Sequence, residues 1–541
     1  MNDVPMTPSN DAAPARGLRQ SMAWIHAWLG LLAGWILFAM FLTGTASYFR
    51  PEITQWMQPE LRPAVVPPAQ AAESAIRYLQ RTSPDDLQWF VYLPDDRTGA
   101  TRVFARAKPN PDAPPAKRRP EFKLDPATGQ PLEARDTRGG EHFYRFHFQL
   151  QIPHPWGRWL AGVCAIFMLA AIISGVITHK RFFADFFTLR WGKGQRSWLD
   201  AHNVSAVLAL PFHAMITYTG LITLVAMYMP WPVVANFAKP TEFNAAAYGA
   251  PPEGKASGQA APLLPVGPMI EAAARTWGGD TPRTVVIRNP NDAAATVTVL
   301  RSTAGRLSAR PDSITFSGAT GERLYQSPTS GPAIATAGVM LGLHLGHFAG
   351  PVMRWTYFLL GLTGAAMVGT GLVLWTVKRR KPNAAPFFGL RLVERLNIGA
   401  VACLPVGMAA FLLANRLIPA GMADRAKLEV STMFWVWFGL AALSLLRPAR
   451  RAWAETLALA TIAFAAIPLV NAVTTDRGLV ASLVTRDWLF VGFDAAMLGV
   501  AALCGLAAWR AWPRPAAVAP PKSRTAKAAQ PAPIREETHV A

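Results

Sequence analysis

The sequence predicts an all-α transmembrane bundle of about eight helices, with two α+β extracytoplasmic domains inserted into its first half. Of its 541 residues 51% are apolar and 16% are charged. Eight nearly uncharged runs approach the roughly 20 residues that cross a hydrocarbon core. His26 and His202 each head an apolar run, and a glycine follows each histidine 18 positions later. This repeat indicates that the first four helices form an internal parallel duplication.

The lengths of the apolar runs define the predicted segments. The first run is too long for a signal-peptide core and is predicted to be an uncleaved anchor. The run at 431–446 is the shortest. The segments are a cytoplasmic N-terminal tail (1–22), TM1 (23–49), an extracytoplasmic domain (50–156), TM2 (157–178), a cytoplasmic loop (179–202), TM3 (203–229), a second extracytoplasmic domain (230–340), an interfacial segment with TM4 (341–377), a cytoplasmic loop (378–395), TM5–TM8 (396–511) and a disordered cytoplasmic tail (512–541).

The positive charge is concentrated on one predicted side of the membrane. The net charge is +20, and basic residues are concentrated in the loops at 179–202 and 378–395, in a third loop with Arg447, Arg450 and Arg451, and in the C-terminal tail, with Arg16 and Arg19 on the same predicted side. The loops on the opposite side are balanced, as where Asp476 and Asp487 accompany Arg477 and Arg486. The positive-inside rule therefore predicts that both termini are cytoplasmic. The basic composition reflects this topology, so the predicted partner is the lipid bilayer and nucleic acid is excluded.

The two polar segments have the same order of predicted elements. A short helix is expected at 71–80 in the first segment and at 266–277 in the second. Alternating patterns predict hairpins from 87–93 with 101–107 and from 283–288 with 296–301. An Ala-Thr-Gly turn then recurs, ending at Gly129 and at Gly321. We therefore expect two related α+β domains.

Four histidines fall at matched positions of the two predicted copies. His26 and His202 begin TM1 and TM3, whereas His147 and His344 precede TM2 and TM4 on the outer side. A twofold axis along the membrane normal would pair His26 with His202 and His147 with His344. Bis-histidine ligation between helices is typical of b-type haem, and we expect two haems per chain. The absence of repeated carboxylates or nearby thiolates argues against zinc and di-iron sites.

Simpler roles for these residues stay open. A single interfacial histidine is most often a snorkelling or hydrogen-bonded side chain. The Thr-Gly pairs ending at Gly44 and Gly220 are interpreted as helix-packing sites. The three cysteines lie in different apolar runs and no Cys-x-x-Cys-His motif occurs, so neither a disulfide framework nor covalent haem attachment is expected.

Further polar residues are secondary candidates. His179, His213 and His347 are alternative ligands, and His213 follows Pro211, which should kink its helix and free a carbonyl group. A hydrogen-bonded core role for His213 is an equal alternative to proton or quinol chemistry. Asp494 is an intramembrane carboxylate that either functions directly or bonds Asn471 of the preceding helix. The arginines expected near the outer pair, where they would bind propionates, an anionic chelate or lipid headgroups, are Arg145, Arg158 and Arg354.

Several motifs resemble the PepSY-associated transmembrane family. They include His26-Ala-Trp-Leu-Gly30, the stretch from His179 to Arg190, Arg196-Ser-Trp-Leu-Asp-Ala-His202 and Arg145-Phe-His147-Phe. The resemblance is close over about 18–382, and the later helices resemble the extension of an eight-helix branch. It implies PepSY-like extracytoplasmic domains, a bacterial inner-membrane location and, as in some members, a two-haem ferric-siderophore reductase. Ala206 departs from the pattern, since the first copy has Gly30.

The histidine pairs predict a di-haem transmembrane oxidoreductase, and the resemblance implies that it reduces a periplasmic ferric siderophore or other ferric chelate for iron acquisition. The short cytoplasmic loops carry no dinucleotide or flavin fingerprint, so quinol or an electron-donor protein is expected to supply electrons. Two alternatives remain at this point. One is a haem-free membrane-anchored PepSY protein with a binding or regulatory role. The other is a transporter for a metal or a metal chelate.

Overall fold

The computed structural model describes residues 17–109, 120–179, 188–249, 251, 254–381 and 384–513. Predictions for residues 1–16, for the tail beyond 513 and for the basic residues Lys180 and Arg181 lie outside the described residues. The described helices are α1 (Leu18–Ser47), α2 (Arg50–Trp56), α3 (Pro68–Thr82), α4 (Glu141–Gln149), α5 (Trp156–Thr178), α6 (Gln195–Leu208), α7 (Leu210–Thr223), α8 (Val225–Tyr228), α9 (Trp231–Asn236), α10 (Pro240–Tyr248), α11 (Gly267–Thr276), α12 (Pro332–Leu345), α13 (Pro351–Arg379), α14 (Phe388–Asn397), α15 (Leu404–Leu417), α16 (Arg425–Leu445), α17 (Ala449–Thr474), α18 (Leu479–Thr485) and α19 (Trp488–Ala511). The strands are β1 (Gln88–Tyr92), β2 (Thr101–Arg106), β3 (Phe122–Leu124), β4 (Pro282–Arg288), β5 (Thr296–Arg301), β6 (Ser313–Ser317) and β7 (Arg323–Gln326).

Within these ranges, seven helices are long and apolar enough to cross a membrane. They are α1, α5, α13, α16, α17, α19 and the continuous span formed by α14, a π-helical stretch at Ile398–Cys403 and α15. The pair α6 and α7 passes the same test together but is bent by 68°, which makes up to eight spans. The count agrees with the predicted bundle of about eight helices.

Proline and glycine mark where several helices begin and end. Pro211 lies in the first turn of α7, directly after the bend, because proline has no N–H to continue the hydrogen bonds of α6. The kink predicted at this residue is therefore confirmed. Pro332 and Pro351 begin α12 and α13, and Gly346 ends α12 with a left-handed φ of 64° that glycine adopts without strain.

The first four spans form the part of the bundle that carries the histidines. Helix α1 contacts α4, α5 and α13, while the bent pair α6–α7 contacts α12, α13 and α5. Each histidine-bearing span therefore packs against two long helices, α5 and α13, and against one short helix, which is α4 for α1 and α12 for the bent pair. The remaining spans, α14 to α19, pack beside α1 and α13.

Strands from both polar segments join in one antiparallel sheet with the order β3-β2-β1-β4-β5-β6-β7. The hairpins predicted in each segment are present, and the predicted helices correspond to α3 and α11. The central seam pairs Val91 of β1 with Val285 of β4, and both side chains are fully buried. The sequence predicted two related α+β domains, and this seam joins the strands of both segments in one sheet, because each hairpin leaves an edge strand that needs a partner. Helices α3 and α11 cover the core on one face.

Candidate functional site: two histidine pairs

The two predicted histidine pairs are both assembled in the structure. We call His26 and His202 the inner pair, and His147 and His344 the outer pair. The rings of the inner pair have centroids 6.0 Å apart, with an angle of 68° between their planes. The rings of the outer pair are 6.1 Å apart and inclined by 32°. The outer pair lies toward the sheet, on the short helices α4 and α12.

A backbone carbonyl fixes the orientation of each imidazole. The hydrogen bonds join Nδ1 of His26 to the oxygen of Ala171 (2.8 Å), His202 to Met367 (2.8 Å), His147 to Met40 (2.7 Å) and His344 to Ile216 (3.1 Å). A carbonyl oxygen only accepts, so Nδ1 carries the proton in every ring. In a neutral imidazole the lone pair is then on Nε2, and none of the four Nε2 atoms has a hydrogen-bond partner among the described residues. This is the tautomer that binds a metal through Nε2.

Each imidazole also lies against a glycine on the helix that supplies its carbonyl. The glycine follows the carbonyl residue by four positions, so one helical turn presents both to the ring. A methyl group at any of these glycines would press against the imidazole. The distances from an added Cβ to the nearest ring atom are 2.5 Å for Gly44 and His147, 2.8 Å for Gly220 and His344, 3.1 Å for Gly175 and His26, and 3.1 Å for Gly371 and His202.

The Thr-Gly pairs therefore have a different partner from the one predicted. Gly44 and Gly220 admit an imidazole, whereas the sequence suggested only close helix packing. Thr219 adds a contact, since its Oγ1 lies 3.3 Å from Nδ1 of His344. Thr43 instead donates to the carbonyl oxygen of Ala39 in its own helix. Glycine is therefore required at positions 44 and 220 because the imidazole rings of His147 and His344 occupy the space of a larger side chain.

Each pair opens into a cavity lined mainly by apolar side chains. The inner cavity has a volume of about 500 Å³ and contains Gly30 and Ala206 as well as both histidines. The outer cavity is smaller, at about 160 Å³. Leu37 and Met168 line both cavities, so only a few side chains separate them. The two sites are therefore adjacent across the thickness of the bundle.

The three secondary histidines also lie close to the cavities. His179 and His213 line the inner cavity, and His347 lines the outer one. The side chain of His213 is fully buried beside Phe41, and its Nδ1 has no hydrogen-bond partner among the described residues. The 68° bend separates His213 from the helix that carries His202, so the two do not share one continuous helix face. None of the three enters either ring pair.

The predicted arginines occupy the outer rim but do not line the cavity. Arg145 pairs with Glu141, Arg354 pairs with Glu52, and Arg158 bonds the amide oxygen of Gln149. The arginines that line the outer cavity are Arg50 and Arg97. Neither of them was identified from the sequence. Arg97 comes from the loop between β1 and β2, and only the folded chain brings that loop to the bundle.

The sequence also missed Gly175 and Gly371, the glycines of the inner pair. The signal that finds them is their position 17 residues after the matched arginines Arg158 and Arg354.

The intramembrane carboxylate of Asp494 is held by hydrogen bonds to neighbouring helices. Asp494 accepts hydrogen bonds from Trp56 and Asn471, both at 3.0 Å, as the alternative interpretation predicted.

The described residues contain no group of three or more histidine, cysteine or acidic side chains that could hold a metal ion. The candidate site is thus built from pairs of imidazoles. Among curated proteins, none matches the chain significantly. The family model described as PepSY-associated TM region matches residues 23–378, which is more than half of the chain and includes all four paired histidines. The chain belongs to the PepSY-associated transmembrane family.

Proposed function

We propose that this protein is a di-haem b-type transmembrane oxidoreductase that passes electrons across the bacterial inner membrane and reduces a ferric siderophore or another ferric chelate in the periplasm. His26 and His202 would hold one haem, and His147 and His344 the other. The single observation that carries the proposal is that all four imidazoles have the same tautomer and the same kind of hydrogen bond. All four bond a carbonyl through Nδ1 and leave Nε2 available inside an apolar cavity.

The spacing of the rings fits one iron atom between the members of each pair. A metal–imidazole bond is about 2 Å long, and roughly 1 Å separates the ligating nitrogen from its ring centre, so two opposed ligands have centroids about 6 Å apart. The observed separations are 6.0 and 6.1 Å. The described residues supply no group of three or more metal-ligating side chains, so each site would offer an iron only its two imidazoles, as a b-type haem requires.

A b-type haem held by these histidines would supply one-electron redox chemistry. The chain's own residues orient the imidazoles and keep water away. The carbonyls of Ala171, Met367, Met40 and Ile216 hold the rings in one tautomer and increase their basicity toward a metal. The glycines one turn later give each ring its place without displacing a helix. The shared walls of the two cavities keep the sites adjacent, as electron transfer requires.

The two cavities differ in how readily they would accept a macrocycle. Ligand pockets usually have volumes of about 300–1,000 Å³. The inner cavity lies in this range, whereas the outer cavity lies below it. Binding at His147 and His344 is therefore expected to move side chains around the outer pair. Loading of the outer site should be the weaker of the two.

The proposed direction of electron flow follows from the distribution of charge. The basic loops and tails would face the cytoplasm and the sheet would face the periplasm, formed by two PepSY-like segments of a duplicated chain. The electron donor would be quinol or a partner protein, and the inner cavity is where either would deliver electrons. The ferric chelate would approach from the side of the sheet, near the outer pair.

Haem content and optical spectra test the proposal directly. The purified protein should bind about two haems per chain by pyridine haemochrome assay and give sharp low-spin bands on reduction. Replacing His26 and His202 by alanine should leave one haem, and so should replacing His147 and His344. His154→Ala is the matched control, because His154 is exposed in a loop.

Ferric-chelate reduction by the prereduced protein then tests the activity. Reoxidation of the haem bands by a ferric chelate, lost in either double variant, would support the reductase. A folded protein that stays colourless after haem supplementation would contradict the proposal. It would favour the regulatory or transport alternative.

A further inference from the structure

The mouth of the outer cavity carries an excess of positive charge. Glu52 accepts hydrogen bonds from Arg97 and also from Arg354, so one carboxylate is shared by two guanidinium groups. Glu141 is shared in the same way by Arg50 and Arg145. Four arginines thus meet two carboxylates, which leaves two positive charges without a partner among these groups.

Two of these arginines line the cavity and retain unused hydrogen-bond donors. Arg50 bonds Glu141 through Nη1 only, at 3.2 Å, and its guanidinium lies 4.6 Å from the ring centre of Tyr144. Arg97 bonds Glu52 through Nε and Nη2, and Nη2 also bonds the carbonyl oxygen of Tyr48. Within the described residues, Nε and Nη2 of Arg50 and Nη1 of Arg97 have no hydrogen-bond partner. These donors are available to a ligand in the cavity.

The position of Arg97 is fixed by contacts between the sheet and the bundle. Its loop runs from β1 to β2, and its backbone oxygen accepts a hydrogen bond from Gln55 of α2. Asp95 in the same loop forms a 3.0 Å ion pair with Arg283 of β4. Because the loop is held at both the sheet and α2, Arg97 stays at the cavity mouth at a low entropic cost.

His347 is the titratable imidazole that faces these arginines in the outer cavity. It lines the same cavity, and its pKa is lowered to about 4 by burial and by the charges of Arg50, Arg97 and Arg283. The imidazole is therefore neutral at physiological pH. It adds no charge of its own, and the arginines remain the cations that a ligand would meet.

We infer that Arg50 and Arg97 form an anion-receiving site at the mouth of the outer cavity, which binds the carboxylate or other anionic oxygens of a ligand. The identity of that ligand rests on the proposed function. The anion is either a propionate of the group held by His147 and His344 or an acidic group of the incoming ferric chelate. Arginine suits both sources, because its planar donors match a carboxylate in a bidentate manner.

Binding of a redox-inert chelate tests the site without requiring activity. Gallium(III) citrate, which is anionic, is titrated calorimetrically into the purified protein in detergent, and a gallium trihydroxamate with a pendant ammonium group, which is cationic, serves as the contrasting probe. If the chelate supplies the anion, Arg50→Gln and Arg97→Gln should each weaken citrate-complex binding about tenfold and leave the cationic probe unaffected. Arg97→Lys should retain part of the affinity, because it keeps the charge.

A second measurement identifies the other source. If a propionate occupies the site, Arg97→Gln should shift the midpoint potential of the outer haem, and citrate-complex binding should not change. Arg275→Gln is the matched control, since Arg275 is an exposed arginine of α11 that pairs with Glu271. If neither binding nor potential differs from this control, the inference is overturned. A haem-free protein would refute the proposed function, but the gallium titration would still test the anion site.

Discussion

Adding one methyl group at Gly44 should disrupt the outer histidine pair more than the same change at Gly175 disrupts the inner pair. The Cβ of Gly44→Ala would lie 2.5 Å from Nδ1 of His147, whereas that of Gly175→Ala would lie 3.1 Å from the ring of His26. Carbon and nitrogen atoms in van der Waals contact are about 3.5 Å apart. The ring of His147 must therefore move by about 1 Å, but His26 needs to yield only a few tenths of an ångström.

The energetic difference follows from the hydrogen bond at stake. A shift of about 1 Å breaks the 2.7 Å bond from His147 to Met40, and an unsatisfied buried group costs about 1–3 kcal/mol. Overpacking adds a further ~1–3 kcal/mol. Alanine recovers about 1 kcal/mol through its helix propensity. Gly44→Ala should thus lose about 1–5 kcal/mol, and Gly175→Ala should be close to neutral.

Thermal unfolding in detergent and haem stoichiometry together measure this difference. Gly44→Ala should lower the melting temperature and the occupancy of the outer site, while Gly175→Ala retains both. Gly439→Ala is the control, because an added Cβ there meets no atom within 4 Å. Equal losses at Gly44 and Gly175, or no loss at either, would refute the reasoning that the glycines determine the ring positions.

Three other predictions concern the buried charges, the response to pH and the sheet. Arg425→Met should destabilise the protein by about 3–5 kcal/mol, because it leaves Glu429 buried without its cation, and adding Glu429→Leu should recover much of the melting temperature. His347 has a pKa of about 4 in the folded state, below its ordinary value, so the unfolded state binds the proton first and stability should fall as pH decreases from about 6.5 to about 4. Melting curves of His347→Asn should show a smaller loss over that window, and an unchanged pH dependence would contradict this account. Cysteines replacing Phe90 and Val286, which are register partners across the seam, should form a disulfide detectable by mass spectrometry, whereas a pair with the second cysteine moved two residues should cross-link poorly.

The sequence determined the features that depend on local pattern. Hydropathy and length located the spans, because a helix in lipid must satisfy its own backbone and present an apolar surface. The spacing of His26, His147, His202 and His344 predicted both ring pairs, because each histidine begins or precedes an apolar run that forms a helix of the bundle. Pro211 predicted the bend between α6 and α7, because proline lacks the N–H that would continue the helix.

Tertiary structure alone decided the features that depend on contacts between distant segments. Nothing in the local sequence pattern of β1 or β4 specifies that the two strands pair with each other. The pattern of each predicts only an edge strand of its own hairpin. The carbonyl acceptors of the histidines are backbone groups, which every residue has, so the amino-acid sequence does not indicate which of them will bond an imidazole. Arg97 reaches the outer cavity because a loop of the sheet docks on α2, and a side chain acquires its neighbours from the packing of whole elements.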